Sequence, residues 1–369
     1  MLAIHTKDMS QSICQLDMKG NITTLMHGDY MYQIKNFSDN RGYCLWMRQN
    51  DRTFPDIFLS TAKFKNIRQV TDCNPQQKDY LWGDVKLIEW KNYEGKQNRG
   101  LLYLPDNYDS KKTYPVLVQF YETHTEEKNK YPMPMLSNAM VNIMYAVSNG
   151  YIVFMPDVHF TVGNPGQSTY DAVVSGTNWL IEQGYAKKGM IGLQGHSWSG
   201  FQTTYLVTKT NLFDCVQIGA PITDMITGYL GIRSGSGLPR YFMYEETQSR
   251  MGATLWDAKD KYRAMSPIVD ADKINTPALI FHNDKDEAVP YEHGRALFLA
   301  LRRLHKPAWM VNYKEEGHFL DSHAAQKDWT IRQMQFFDYY LKGTKEPRWM
   351  KEGIQLRDRG YDQKYDLVK

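Results

Sequence analysis

The run Gly195-His196-Ser197-Trp198-Ser199-Gly200 constrains the fold of this chain more than any other stretch. It lies between the apolar Met190-Ile191-Gly192-Leu193-Gln194 and a helix-compatible segment from Phe201 to Thr208. The whole therefore reads as a strand, a sharp turn and a helix, with a serine at the apex. A turn this tight forms only where strand and helix approach closely, and small residues at 195 and 199 leave the room. It also holds a hydroxyl clear of its neighbours. A serine hydroxyl is a poor nucleophile until a base takes its proton, so the site needs an imidazole and an acyl carbonyl within reach. The usual nucleophile-elbow pattern closes in glycine where this chain has Ser199.

In such an architecture the acid and then the histidine follow the serine, each in a loop after a later strand. Pro277-Ala278-Leu279-Ile280-Phe281-His282 has the length and apolarity of a buried parallel strand, and it empties into Asn283-Asp284-Lys285-Asp286-Glu287-Ala288-Val289-Pro290. Tyr291 to Leu304 has helical spacing of apolar residues. The next apolar run, Ala308-Trp309-Met310-Val311-Asn312-Tyr313, leads into Lys314-Glu315-Glu316-Gly317-His318-Phe319. Asp286 is favoured over Asp284 because it stands just before the chain turns back into a helix. Among the ten histidines, His318 follows a strand and a glycine, whereas His323 falls at the start of the last amphipathic helix. His282 reads as a packing residue at a strand end, and His196 as pointing away from the serine across the turn.

These blocks together resemble the catalytic domain of the prolyl oligopeptidase family of serine peptidases. The resemblance rests on Tyr114-Pro115-Val116-Leu117-Val118-Gln119-Phe120-Tyr121, on Gly195 to Gly200, on His282 to Pro290 and on Glu316-Gly317-His318, in order over residues 83 to 345. It implies Ser197 as nucleophile, His318 as general base and then acid, and Asp286 as the group orienting the imidazole. It further implies that the Tyr121 phenol and the backbone N–H of Trp198 form the oxyanion hole, and that the Trp198 side chain walls the substrate pocket. The competing reading of Trp198 is core packing beneath the elbow. Two departures stand out. A polar, acidic loop, Glu122-Thr123-His124-Thr125-Glu126-Glu127-Lys128, follows Tyr121, and Ala288 occupies the position where the family carries an Arg or Asn that holds a substrate carbonyl. Proline specificity therefore does not follow.

The chain of 369 residues carries 44 Lys and Arg against 41 Asp and Glu, which leaves no electrostatic footprint for nucleic acid. Its four cysteines, Cys14, Cys44, Cys73 and Cys215, have neither zinc-site nor disulfide spacing. No run reaches the ~18 apolar residues of a membrane span, and no signal peptide is visible at the amino terminus. The compartment therefore stays open. Residues 1–80 read as short alternating strands, as in Ser12 to Met18, Tyr43 to Arg48 and Asp56 to Ser60, a texture that suggests β-propeller blades. They make too few blades to close a ring, so the chain reads as the C-terminal portion of a longer protein. From residue 81 to 369, strands alternate with helical patterns (Leu136 to Val147, Tyr170 to Glu182, Ala324 to Leu341), which argues an α/β-hydrolase fold with a mostly parallel sheet covered on both faces. Beyond Gly343 the sequence turns polar and reads as surface.

The function expected from these observations is hydrolysis of short peptides through a Ser-Asp-His triad and an acyl-enzyme. The same triad would equally serve a carboxylic ester hydrolase, and the fold alone a non-catalytic binding module. No cofactor or metal is implied, since the chemistry needs only side chains and water. Cleavage-site preference, endo- or exopeptidase action and oligomeric state stay open.

Overall fold

A computed structural model describes residues 1–368. Its centre is an eight-stranded sheet. In chain order the strands are β1 (Gly83–Lys91), β2 (Gln97–Pro105), β3 (Val116–Gln119), β4 (Ile152–Pro156), β5 (Ile191–His196), β6 (Cys215–Gly219), β7 (Ala278–Phe281) and β8 (Ala308–Val311). Across the sheet they run β1-β2-β4-β3-β5-β6-β7-β8. The pairs from β4 through β8 are parallel, and β1 and β2 add an antiparallel edge.

The central strands are apolar throughout because both faces are covered. Period-two alternation sends Val116, Val118, Ile152, Phe154 and Ile280 to one core, and Leu117, Val153, Met155, Leu279 and Phe281 to the other. The first core is closed by helices α1 (Pro165–Glu182), α2 (Trp198–Lys209) and α3 (Glu292–Arg303). The second is closed by α4 (His323–Lys342), which contributes Trp329, Phe336, Phe337 and Leu341. Helix α4 starts where the Ser322 hydroxyl accepts from Ala325 N–H, and stops at Gly343, whose φ of 67° is one that side-chain-bearing residues avoid.

Two expectations about local structure do not hold. The pattern Leu136 to Val147 is helical only over Ile143–Ser148. Partners on distant elements take the backbone groups of the preceding loop. Ser137 N–H donates to Thr330 Oγ1, Val141 N–H donates to Gln194 Oε1, and the Ala139 carbonyl accepts from Trp329 and Gln333 side chains. The polar tail beyond Gly343 also does more than cover the surface. A helix at Arg348–Glu352 buries Trp349 and Met350 in the second core, with Trp349 Nε1 donating to Gln335 and Trp309 Nε1 donating to the Met350 carbonyl.

The amino-terminal residues form two small antiparallel sheets. Three strands (Leu2–Ile4, Gln11–Leu16, Ile22–Gly28) make one, and four (Met31–Phe37, Tyr43–Gln49, Asp56–Thr61, Arg68–Gln69) make the other. The four-stranded sheet packs around Trp46, which stacks on Phe58 at 4.9 Å and donates to Ser60 Oγ. Polar contacts tie these sheets to the α/β unit: Lys128 pairs with Asp29 at 2.8 Å, Trp82 Nε1 donates to the Asp51 carbonyl, and Tyr131 N–H donates to Gln49. No helix among the described residues is long and apolar enough to cross a membrane.

Because Trp349 fills the second core, Trp349→Ala is expected to lower unfolding stability by about 3 kcal/mol in urea titrations. A loss below about 0.5 kcal/mol would place the tail outside the folded unit.

Candidate active site

Parallel strands deliver their carboxyl ends to one edge of the sheet, so the loops after β3, β5, β7 and β8 meet there. Ser197 sits between β5 and α2 at φ 61° and ψ −119°, a conformation rare for a residue with a side chain. Its backbone N–H donates to the Gly219 carbonyl at 2.9 Å, which fixes the turn against β6. A Cβ on Gly195 would stand 2.3 Å from the Ser199 carbonyl oxygen, and one on Gly200 equally close to that of Gly219. Both positions therefore need glycine. The departure at Ser199 is accommodated inside the turn: its hydroxyl accepts from His196 N–H at 2.8 Å and donates to the His196 carbonyl at 2.9 Å.

Both carboxylate oxygens of Asp286 are held. Oδ1 accepts from the N–H groups of Ala288 and Val289, both at 2.8 Å. Oδ2 faces His318 Nδ1 at 2.7 Å and His282 Nε2 at 3.3 Å. Burial alone would raise this carboxyl's pKa, but the hydrogen bonds from His282 and His318, His318's charge and the Val289 N–H hold it well below the usual carboxylate range. The bond to Asp286 places the His318 proton on Nδ1 and leaves Nε2 as the basic nitrogen. Asp284 is exposed, and His323 is exposed at the start of α4.

Tyr121 follows β3, with its carbonyl accepting from Gln202 of α2 at 2.8 Å. Its phenol oxygen accepts from Gln248 Nε2 at 2.9 Å and lies close to Ser197 and the Trp198 N–H. Burial raises the phenol's pKa above its ordinary value, so it remains a donor at neutral pH. Two carboxylates organise the polar loop after Tyr121. Glu122 pairs with Arg250 at 2.9 Å, and buried Asp157 accepts from the His124 and Thr125 N–H groups and the Thr125 hydroxyl. Ser197, Tyr121 and His318 line one cavity of about 580 Å³, together with Gln248 and the irregular loop from Tyr131 to Ile143.

Three readings of single residues are corrected. Trp198 is fully buried and stacks on Phe201 at 4.7 Å in an apolar cluster, so its side chain packs beneath the elbow and not on the cavity wall. His196 does not point away. Gly219 leaves room for its ring, which packs 4.6 Å from the His318 ring and against Phe319. His282, read as packing alone, lies against both Asp286 Oδ2 and the Val289 carbonyl. Both neighbours are acceptors, so Nε2 carries the proton. Sequence reasoning also missed Gln248 and Asn283. The latter ties the acid and histidine loops together by donating to the Gly317 carbonyl and accepting from Tyr313 N–H.

A model of the Prolyl oligopeptidase family matches residues 137–344, more than half of the chain. The uncharacterized peptidase YuxL of Bacillus subtilis is 23% identical over 335 residues, covering 86% of this chain and 48% of that one. Dipeptidyl-peptidase 5 of Aspergillus oryzae is 21% identical, covering 79% and 42%. The chain thus spans about half or less of the length of these relatives. Among solved structures, Porphyromonas gingivalis dipeptidyl peptidase 4 aligns with a TM-score of 0.71 at 18% identity, over 90% of this chain and 46% of that one. Pyrococcus horikoshii acylaminoacyl peptidase aligns at 0.67 with 17% identity, over 94% and 56%. At such identities the structural likeness establishes the fold, an α/β hydrolase preceded by small antiparallel sheets.

The buried histidines make the edge acid-labile. His293 Nδ1 accepts from Thr223 N–H at 3.2 Å, and burial, with the nearby charges of His282 and Arg240, lowers its pKa to about 4. Burial likewise holds His196 well below the ordinary value. Each binds a proton more readily unfolded than folded, so stability is full above pH ~6.5 and falls as the pH drops toward 4. His293 alone is expected to remove about 3 kcal/mol over that window in urea titrations, and His293→Gln to flatten the slope. Stability that holds level or rises between pH 6.5 and 4 would contradict this assignment.

Proposed function

Because the chain belongs to the prolyl oligopeptidase family, we propose that it is a serine peptidase that hydrolyses short peptides at Ser197. The observation that carries the reading is the Asp286 to His318 hydrogen bond of 2.7 Å, which opens onto the same cavity as the strained Ser197 and the Tyr121 phenol. His318 Nε2 takes the hydroxyl proton as Oγ bonds to the carbonyl carbon. The negative charge that develops on the carbonyl oxygen is met by the Tyr121 hydroxyl and the Trp198 N–H, already oriented before reaction. His318 then passes its proton to the leaving amine as the C–N bond breaks, and water resolves the acyl-enzyme by the same route. Asp286 holds the imidazole in the required tautomer and stabilises it when charged.

That the relatives are named as peptidases supports reading the substrate as a peptide and not an ester. We place the boundary between the β-rich segment and the peptidase unit near residue 80, after the short helix Pro75–Asp79, and read residues 1–80 as part of a β-propeller.

The test compares kcat/KM on matched peptide and ester substrates. Amide hydrolysis lost in Ser197→Ala and reduced about 10²-fold or more in Tyr121→Phe is the expected result. Ester turnover with no amide turnover would instead make the protein an esterase.

A further inference from the structure

The nucleophile's cavity contains a cation with no counter-ion. Arg240 is 2% exposed, yet no Asp or Glu among the described residues pairs with it, and it lines the cavity beside Ile222, Met243 and Val289. Its Nη1 donates to the Ala288 carbonyl, and Nε is buried without a hydrogen-bond partner. Tyr244, whose ring centre is 5.8 Å from the guanidinium carbon, is a neutral neighbour and supplies no negative charge. Of the nearby carboxylates, Asp286 is committed to the bonds described above and Asp224 to Ile226 N–H and the Thr227 hydroxyl, while Glu287, next to Ala288, is exposed and makes no ion pair with Arg240. A guanidinium cannot shed its charge as a buried lysine can, and burying it without an anion is costly.

The local fold delivers this cation deliberately. The strands Ile232–Arg233 and Leu238–Pro239 form a hairpin turned at Gly237, whose φ is 69°. Arg233, on the outgoing strand, lines the same cavity and has no ion-pair partner among the described residues. Arg240 follows the returning strand, with its N–H on the Gly231 carbonyl. The hairpin rests on the acid loop, since Gly235 N–H and the Ser234 hydroxyl both donate to the Glu287 carbonyl. Two guanidinium groups therefore border the cavity of Ser197 and His318, one buried and one exposed to water, and guanidinium N–H groups are strong donors to a carboxylate.

Resting on the reading of this cavity as the peptidase site, we propose that Arg240, assisted by Arg233, binds a substrate carboxylate, so that the preferred peptides carry an anionic group close to the cleaved bond. The group is either an acidic side chain or the peptide's own C-terminus.

Binding of short acetylated peptides to the Ser197→Ala protein, measured by calorimetry, tests this without requiring turnover. Three peptides identical but for one group are compared: a Glu peptide amide, its Gln counterpart, and the Gln peptide as the free acid. Glu favoured over Gln by about tenfold or more identifies a side-chain carboxylate, and free acid favoured over amide by as much identifies the C-terminus. In either case Arg240→Met is expected to erase the preference, with Arg233→Met giving a smaller loss. Equal affinities for all three peptides in the Ser197→Ala protein would overturn the proposal, and this comparison stands even if Arg240→Met does not fold. A carboxylate preference in binding combined with no hydrolysis by the unmutated protein would instead refute the peptidase reading and leave the anion site standing.

Discussion

The close approach of β5, α2 and β6 at the elbow is the constraint on which the site depends. Ser197 holds its unusual backbone conformation because its N–H is bonded to Gly219 and because Gly195 and Gly200 let neighbouring carbonyls come nearer than any Cβ would allow. Such strain persists only where the surroundings over-determine it. Here the surroundings are a sheet covered on both faces and a helix that starts at the very next residue. The same crowding that bends the chain also buries Trp198 beneath the turn and seats His196 against Gly219, so that the floor of the site is packed core.

Asp286 is the electrostatic counterpart of that constraint. A nearly buried carboxylate normally takes up a proton, but two backbone N–H groups and two imidazoles keep this one charged. Its neighbours are fixed in turn. Asn283 joins the acid loop to the histidine loop, and Glu316 accepts from the N–H groups of Asp321 and Ser322 to close the turn beyond His318. The histidine's position is thus set by hydrogen bonds from both loops, which supports a preorganised site over one assembled by the substrate.

Much of this was legible in the sequence for one reason. Strands buried on both faces leave continuous apolar runs, and a parallel sheet then obliges the residues just after those runs to share an edge, so Ser197, Asp286 and His318 can be placed by order alone. What depends on distant partners was not legible. The loop before Ile143 carries a helical pattern, yet Thr330, Gln194, Trp329 and Gln333 capture its backbone. The tail beyond Gly343 looks polar, but two of its residues complete a core whose other buried members run from Trp82 to Leu341. Trp198 and His196 were misplaced because the direction of a side chain at a strained turn follows from the space left by Gly219 and Phe201, not from spacing. Gln248 and Arg240 carry no motif, and each gains meaning only from the atom it faces.

The central claim is that Ser197 is a nucleophile activated by His318. It is tested most directly by reacting the folded protein with an organophosphonate serine-hydrolase probe and mapping the modified peptide by mass spectrometry. Adduct confined to Ser197, and lost in His318→Ala, is the predicted result. A folded protein that stays unmodified, or one labelled equally well without His318, would contradict the account.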